Sequence, residues 1–146
     1  MARIEKTIEI KAPPEKLWPM GSIERIPEWM SFIKKVEWTS KDKDVVGSTA
    51  RVSVELAGVK SESNVEMTEC VKNKKRAWRA ISGSPTPVSN VTALTPTEAG
   101  TKITYLMDYE LPYSFLGKII DKLRVSKELE KSIEQGFKKL KATVEK

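Results

Sequence analysis

The sequence predicts an α+β fold in which an antiparallel sheet of about seven strands is followed by one long C-terminal helix. Three observations carry this. Apolar and polar residues alternate with a period of two in a succession of short stretches between Ile4 and Leu111. Turn signals separate the later stretches every 8 to 15 residues with no helix between them, which argues for an antiparallel meander rather than a parallel sheet. After Pro112 the apolar spacing becomes helical, and no proline interrupts it to Lys146.

The elements follow in order. Ile4, Ile8 and Ile10 alternate with Arg3, Glu5 and Glu9, giving a half-buried first strand. Ala12-Pro13-Pro14 stops it, and Glu15 to Trp18 starts a short helix that Pro19 curtails. Ile26-Pro27-Glu28-Trp29-Met30-Ser31-Phe32 reads as a second short helix. Neither is long enough to stand alone, so both must lie against something larger. Val36 and Trp38 alternate with Lys35 and Glu37. Ala50, Val52, Val54 and Leu56 alternate with Arg51, Ser53 and Glu55 before the turn at Ala57-Gly58. Val65 and Met67 share a face, and Asn73-Lys74 turns the chain towards Trp78 and Ala80. Ser82-Gly83-Ser84-Pro85 breaks that strand. Ser89 to Thr95 is a weakly patterned strand in which Asn90, Thr92 and Leu94 compete with Val91 and Ala93 for the inner face. After Glu98-Ala99-Gly100, residues Ile103, Tyr105, Met107, Tyr109 and Leu111 give the strongest alternation in the chain.

In the C-terminal helix the apolar stripe is Leu116, Ile119, Ile120, Leu123, Ile133, Phe137, Leu140 and Val144. At a drift of about 20° per heptad it winds roughly 80° around the helix, as suits a helix laid across a twisted sheet. Lys127 and Glu130 interrupt the stripe, and Ser126 and Gly136 are small, so the middle of the helix is expected to pack imperfectly and leave space.

Composition excludes more than it assigns. The 146 residues suffice for one domain, expected to span residues 1–146, and not for two. No histidine is present, which removes His-based acid/base and nucleophile systems and nearly every zinc or haem site. The lone Cys70 excludes an internal disulfide and a cysteine-cluster metal site. The start, Met1 to Lys6, lacks an apolar segment of signal-peptide type. The uncharged run that begins at Ala80 and ends before Glu98 contains three prolines and is no membrane span. A cytoplasmic protein is expected, with membrane contact at most transient. The net charge of +6 is concentrated in 114–146, with nine Lys/Arg against five Asp/Glu. The acids are interspersed as on a solvated helix face, which argues against nucleic acid as a partner. A single glutamine beside plentiful Lys and Glu fits a heat-adapted proteome.

Ile8-Glu9-Ile10-Lys11-Ala12-Pro13-Pro14-Glu15-Lys16-Leu17-Trp18, Ile26-Pro27-Glu28-Trp29-Met30, Gly100-Thr101-Lys102-Ile103-Thr104 and the stretch from Leu116-Gly117 onward, set in this order of elements, resemble the polyketide cyclase/dehydrase-like branch of the START/Bet v 1 (SRPBCC) superfamily. The resemblance covers essentially the whole chain. It implies a helix-grip fold, in which a curved antiparallel sheet wraps the C-terminal helix and encloses an apolar cavity. Members bind lipids, isoprenoids, polyketides or other apolar molecules; some are carriers and some are enzymes. The fold does not choose between these.

The residues themselves offer a candidate site. Alternation puts Val52, Val54, Val65, Met67, Trp78, Ala80, Tyr105, Met107 and Tyr109 on the inner face of the sheet, opposite Trp18, Trp29, Phe32, Leu116, Ile120 and Leu123. From these, the ligand-binding set is Trp29, Phe32, Val54, Met67, Trp78, Asn90, Thr92, Tyr105, Met107, Tyr109, Leu116, Ile120 and Leu123. Asn90 and Thr92 belong to it only if their face of the strand points inward. Aromatic walls beside small Ala50, Ala80 and Gly136, with adaptable methionines, suit an apolar pocket, and the hydroxyls of Tyr105 and Tyr109 are candidates to orient a ligand. No catalytic constellation, cofactor site or metal site is visible. Glu69 and Arg76 are read as solvated charges near strand ends, Asp108 and Glu110 as outer-face solubility residues, and Cys70 as outward-pointing. The expected partner is an apolar small molecule, held by a carrier or sensor that is a monomer or dimer. The alternatives are a cyclase, aromatase or dehydratase, and a macromolecule-binding module that uses the basic C-terminal helix.

Overall fold

The structure is a computed structural model that describes residues 2–56, 58–81, 88–110 and 122–145. In chain order the elements are β1 (Ala2–Ile10), α1 (Pro14–Leu17), two 3₁₀ turns (Trp18–Gly21 and Ile23–Glu28), β2 (Ile33–Trp38), β3 (Thr49–Leu56), β4 (Val59–Val71), β5 (Lys75–Ala80), β6 (Val88–Pro96), β7 (Thr101–Tyr109) and α2 (Lys122–Val144). The expected second short helix is a correction. The 3₁₀ turn ends at Glu28 and leaves Trp29, Met30 and Phe32 in irregular backbone. Pro27 has no N–H to extend a helical ladder, and the bulky residues after it are fixed by packing instead.

All seven strands form one sheet in the order β1-β7-β6-β5-β4-β3-β2, antiparallel throughout. The segment of turns between β1 and β2 therefore joins the two edges of the sheet across one of its faces. Register shifts at Ile33/Lys35 and Met67/Glu69 mark irregularities of the kind that bend a sheet. The second has a consequence for side-chain direction. Beyond it Cys70 pairs with Arg76, and Glu69 pairs with Ala77. One extra residue exchanges the two faces, so Cys70 comes to Arg76's side of the sheet and Glu69 leaves the face of Val65 and Met67.

On the same face as Met107 and Tyr105, residues Asn90 and Thr92 stand directly opposite them in the β6–β7 register. This resolves the competition within β6. The inner face carries Asn90, Thr92 and Leu94.

Across that face lies α2, whose buried residues are Val125, Leu129, Ile133, Phe137, Leu140 and Val144. Their steps of three and four residues make a continuous stripe. The expected interruption near Lys127 and Glu130 is thus corrected: both lie off the stripe, which Val125 and Leu129 fill. Gly136 does not leave space either. A Cβ there would lie 2.7 Å from Met30 Sδ and 2.9 Å from the Trp29 carbonyl oxygen, so the missing side chain is what lets the helix reach the Trp29–Met30 backbone. The far end of α2 is tied down by Lys11 N–H to Glu145 Oε2 at 2.8 Å and by Lys16 Nζ to the Val144 carbonyl at 3.1 Å. Among the described residues no helix is long and apolar enough to cross a membrane.

Candidate functional site

Between the inner face of the sheet and α2 lies a cavity of about 130 Å³. Its floor is the inner face of β3, β5, β6 and β7, because strand periodicity sends Val54, Trp78, Asn90, Thr92, Tyr105, Met107 and Tyr109 the same way. Trp29 and Phe32 close one side, and Leu129 and Phe137 of α2 form the roof. Phe137 organises the aromatic wall. Its ring centroid lies 5.3 Å from that of Trp29 and 5.4 Å from that of Tyr105, the latter edge to face, a favourable arrangement for aromatic pairs. Trp29 is fixed in turn by its indole N–H, which donates to the Met20 carbonyl at 3.0 Å.

Nine of the thirteen residues singled out from the sequence line this cavity: Trp29, Phe32, Val54, Trp78, Asn90, Thr92, Tyr105, Met107 and Tyr109. Met67 does not. It is fully buried in a second apolar cluster with Ala50, Val52, Val65 and Trp78, the last three of which line the cavity themselves. Leu116 and Ile120 lie outside the described residues, as does the side chain of Leu123. The sequence reading missed the contributions of Leu129, Phe137 and Met30. Phe137 lies in the helical stripe and Met30 stands between Trp29 and Phe32 in the second short element, so both carried a signal in the sequence. Glu110 was assigned to the outer face, yet it stands just past the end of β7 and touches the cavity rim. Asp108 does face outward, where Arg3 Nε donates to it at 2.8 Å and holds its carboxyl below the ordinary range.

The polar groups on this floor differ in how far they are committed. The Tyr109 hydroxyl donates to Ser126 Oγ at 2.8 Å and joins β7 to α2. Among the described residues the Tyr105 hydroxyl meets only Met107 Sδ, at 3.5 Å, a weak acceptor. Burial pushes this hydroxyl well above the ordinary tyrosine range, so it stays protonated and remains a donor. Asn90 and Thr92, each half-buried, make no side-chain hydrogen bond to any described residue. Their polar atoms open onto the cavity, since no fully buried polar atom among the described residues lacks a partner. Thr92 faces Tyr105 across the register, so three under-used polar groups gather where β6 meets β7.

A smaller space of about 50 Å³ adjoins the first and shares Ile26, Trp29, Trp78, Asn90, Thr92 and Phe137 with it. Arg76 closes its far end. The solvated arginine expected from the sequence is in fact 5% exposed. Its guanidinium donates to both carboxylate oxygens of Asp44, at 2.9 and 2.8 Å, and to the Trp18 carbonyl at 2.7 Å. It also stacks over the Trp18 ring, 3.7 Å from the centroid. Gly21 makes room for it, because a Cβ there would lie 2.8 Å from Arg76 Nη1. Cys70 Sγ lies 3.5 Å from the Asp44 carbonyl oxygen, and burial pushes its thiol up, away from reactivity. Glu69 remains a surface charge, paired with Lys75 at 2.8 Å.

A family model described as polyketide cyclase / dehydrase and lipid transport matches residues 1–145. A START superfamily protein from Mycobacterium smegmatis has the same fold at a TM-score of 0.76 and 20% identity, covering 98% of this chain and 97% of that one. A protein from Thermus thermophilus is similar at 0.78 and 18%, with 98% and 97% covered. An aromatase/cyclase from a Streptomyces species is similar at 0.69 and 18%, with 98% and 90% covered. At these identities the likeness is one of fold, and the architecture is the helix-grip arrangement of the START/Bet v 1 superfamily.

Proposed function

The chain belongs to the polyketide cyclase / dehydrase and lipid transport family, and from that premise we propose that it binds a compact apolar molecule bearing at least one oxygen function, as a carrier or sensor. The observation that carries this reading is the pairing of an apolar cavity with the cluster of Asn90, Thr92 and Tyr105 on its floor. The polar atoms of Asn90 and Thr92 open onto that cavity. An apolar ligand that displaced water from them without replacing its hydrogen bonds would lose about 1–3 kcal/mol at each, and a ligand with an oxygen function there avoids that loss. The cavity volume sets the size. Drug-sized ligands occupy roughly 300–1,000 Å³, whereas an engineered cavity of about 150 Å³ holds a single benzene ring. A space of about 130 Å³ supports a ring-sized compound of polyketide or aromatic type over a full-length lipid.

The driving force is desolvation of the ring, about 25 cal/mol for each Å² of apolar surface removed from water, with the polar cluster fixing orientation. Native mass spectrometry of freshly purified protein, followed by denaturing extraction, tests the reading. One neutral ring compound with a carbonyl or hydroxyl group, bound one to one, is the expected result. A bound two-chain phospholipid would contradict the size argument.

A second reading is a cyclase-type enzyme, favoured by the fold shared with the Streptomyces aromatase/cyclase and by the same polar cluster, which would hold a reactive chain in one conformation. The two readings part at release: a carrier returns its ligand unchanged, and a cyclase returns an isomer or a dehydrated product.

A further inference from the structure

Single apolar side chains on a surface need no explanation, but clustered ones do. Among the described residues four large apolar side chains are exposed, and three of them stand at one end of the sheet: Val45 at 47%, Val46 at 63% and Val71 at 45%. Val45 and Val46 lie in the loop that joins β2 to β3. That loop rests on the end of β4, through Gly47 N–H to the Met67 carbonyl at 2.9 Å and through the contact of Cys70 with Asp44. Val71 opens the tight β4–β5 turn beside it, which Lys74 N–H closes on the Val71 carbonyl at 2.9 Å.

The loop holds its valines outward. Asp44 is clamped by Arg76, and the next turn is locked by Val45 N–H to Ser48 Oγ at 3.0 Å and Ser48 N–H to the Val45 carbonyl at 2.9 Å. A slack loop would fold such side chains down; this one is braced by a buried ion pair. Around the valines stand Lys41, Lys43, Lys72 and Lys74, all exposed and none in an ion pair among the described residues. The acids nearby are largely spent, Asp44 on Arg76 and Glu69 on Lys75, which leaves Asp42.

We propose that this tip docks on the surface of an anionic lipid bilayer, with Val45, Val46 and Val71 entering the interface and the four lysines meeting the headgroups. The charge pattern selects this occupant. A rim of unpaired ammonium groups around an apolar point matches a surface that is negative outside and apolar a few ångströms below, and a polynucleotide offers no such apolar layer. The proposal goes beyond the ligand-binding reading and does not rest on it.

Co-sedimentation of the full chain with phosphatidylcholine vesicles, with and without about a third phosphatidylglycerol, tests it. Binding is expected to the anionic vesicles, to weaken as salt is raised, and to be at least tenfold weaker on phosphatidylcholine alone. Each lysine near the surface is worth about fivefold, so the Lys43→Gln/Lys72→Gln variant is expected to lose about 25-fold. Val45→Ser/Val46→Ser is expected to lose about tenfold. These positions are exposed, so a thermal melt that matches the parent establishes that each variant is folded. Failure of the parent to sediment with anionic vesicles, equal binding to both vesicle types, or double variants that bind like the parent would each overturn the proposal. So would light scattering that shows a parent dimer made monomeric by Val45→Ser/Val46→Ser, because the tip would then be an interface between copies. Asn90→Leu, which alters the cavity, is expected to leave sedimentation unchanged, so the two proposals fail separately.

Discussion

Arg76 stands on the inner face of the sheet beside Trp78, where alternation alone would put an apolar side chain. Its charge is tolerated because every direction is answered: Asp44 by two hydrogen bonds, the Trp18 carbonyl by a third and the Trp18 ring by its face. Removing one partner of a buried pair leaves the other uncompensated, at a cost of about 3–5 kcal/mol. The Asp44 side chain is 31% exposed and that of Arg76 only 6%, so the stranded group would be the arginine, which cannot reach water. Asp44→Ala is therefore expected to lower unfolding free energy by about 3 kcal/mol in urea denaturation. A loss below about 1 kcal/mol would mean that the pair behaves like an exposed one. Nothing in the sequence announces this contact, since Asp44 and Arg76 are far apart in the chain and joined only by the tertiary fold. The same holds for Cys70 and Glu69, whose faces are exchanged by a register shift that leaves no mark in the pattern of residues.

At the scale of elements, the strands were legible because a sheet buried on one face imposes a period of two, and β3 and β7 carry it with few exceptions. β6 was legible as a strand but its inner face was not, because it places Asn90 and Thr92 inward and polar residues there cancel the signal. Of the two short elements after β1, the first is the α-helix expected, whereas the second is a 3₁₀ turn at Ile23–Glu28 that ends before Trp29. Prolines and large apolar residues in so short a span do not separate a 3₁₀ turn from an α-helix or fix its bounds. In α2 the role of Gly136 was inverted, for a missing side chain reads as space until the neighbour that occupies it is known. Gly136→Ala separates the two roles. Helix propensity alone would favour alanine by about 1 kcal/mol, but the added Cβ meets the Trp29 backbone, and overpacking costs about 1–3 kcal/mol. A net loss of about 1 kcal/mol or more is expected in thermal or urea unfolding, and a gain would show that α2 approaches the Trp29–Met30 segment less closely than described.

For the whole molecule, one sheet and one long helix cannot close on each other completely. The sheet bends at its register shifts, and the irregular Trp29–Phe32 segment fills only part of the gap between it and α2. What remains is the cavity between the inner face of the sheet and α2, largely apolar, with Asn90, Thr92 and Tyr105 gathered on its floor. Family membership and fold lead to such a cavity, but its volume and its polar corner belong to this chain and are what select among ligands. The most direct measurement of that claim is a two-dimensional NMR titration with phenol and with toluene, two rings of nearly the same size that differ in one hydroxyl. Both are expected to give saturable shifts at the Met30 and Met107 methyls and the Asn90 side-chain amide, with phenol bound about tenfold more tightly, as one satisfied hydrogen bond of about 1.4 kcal/mol requires. Shifts scattered over the surface, or no saturation with either compound, would contradict a ligand cavity; equal affinity for the two would contradict the polar corner.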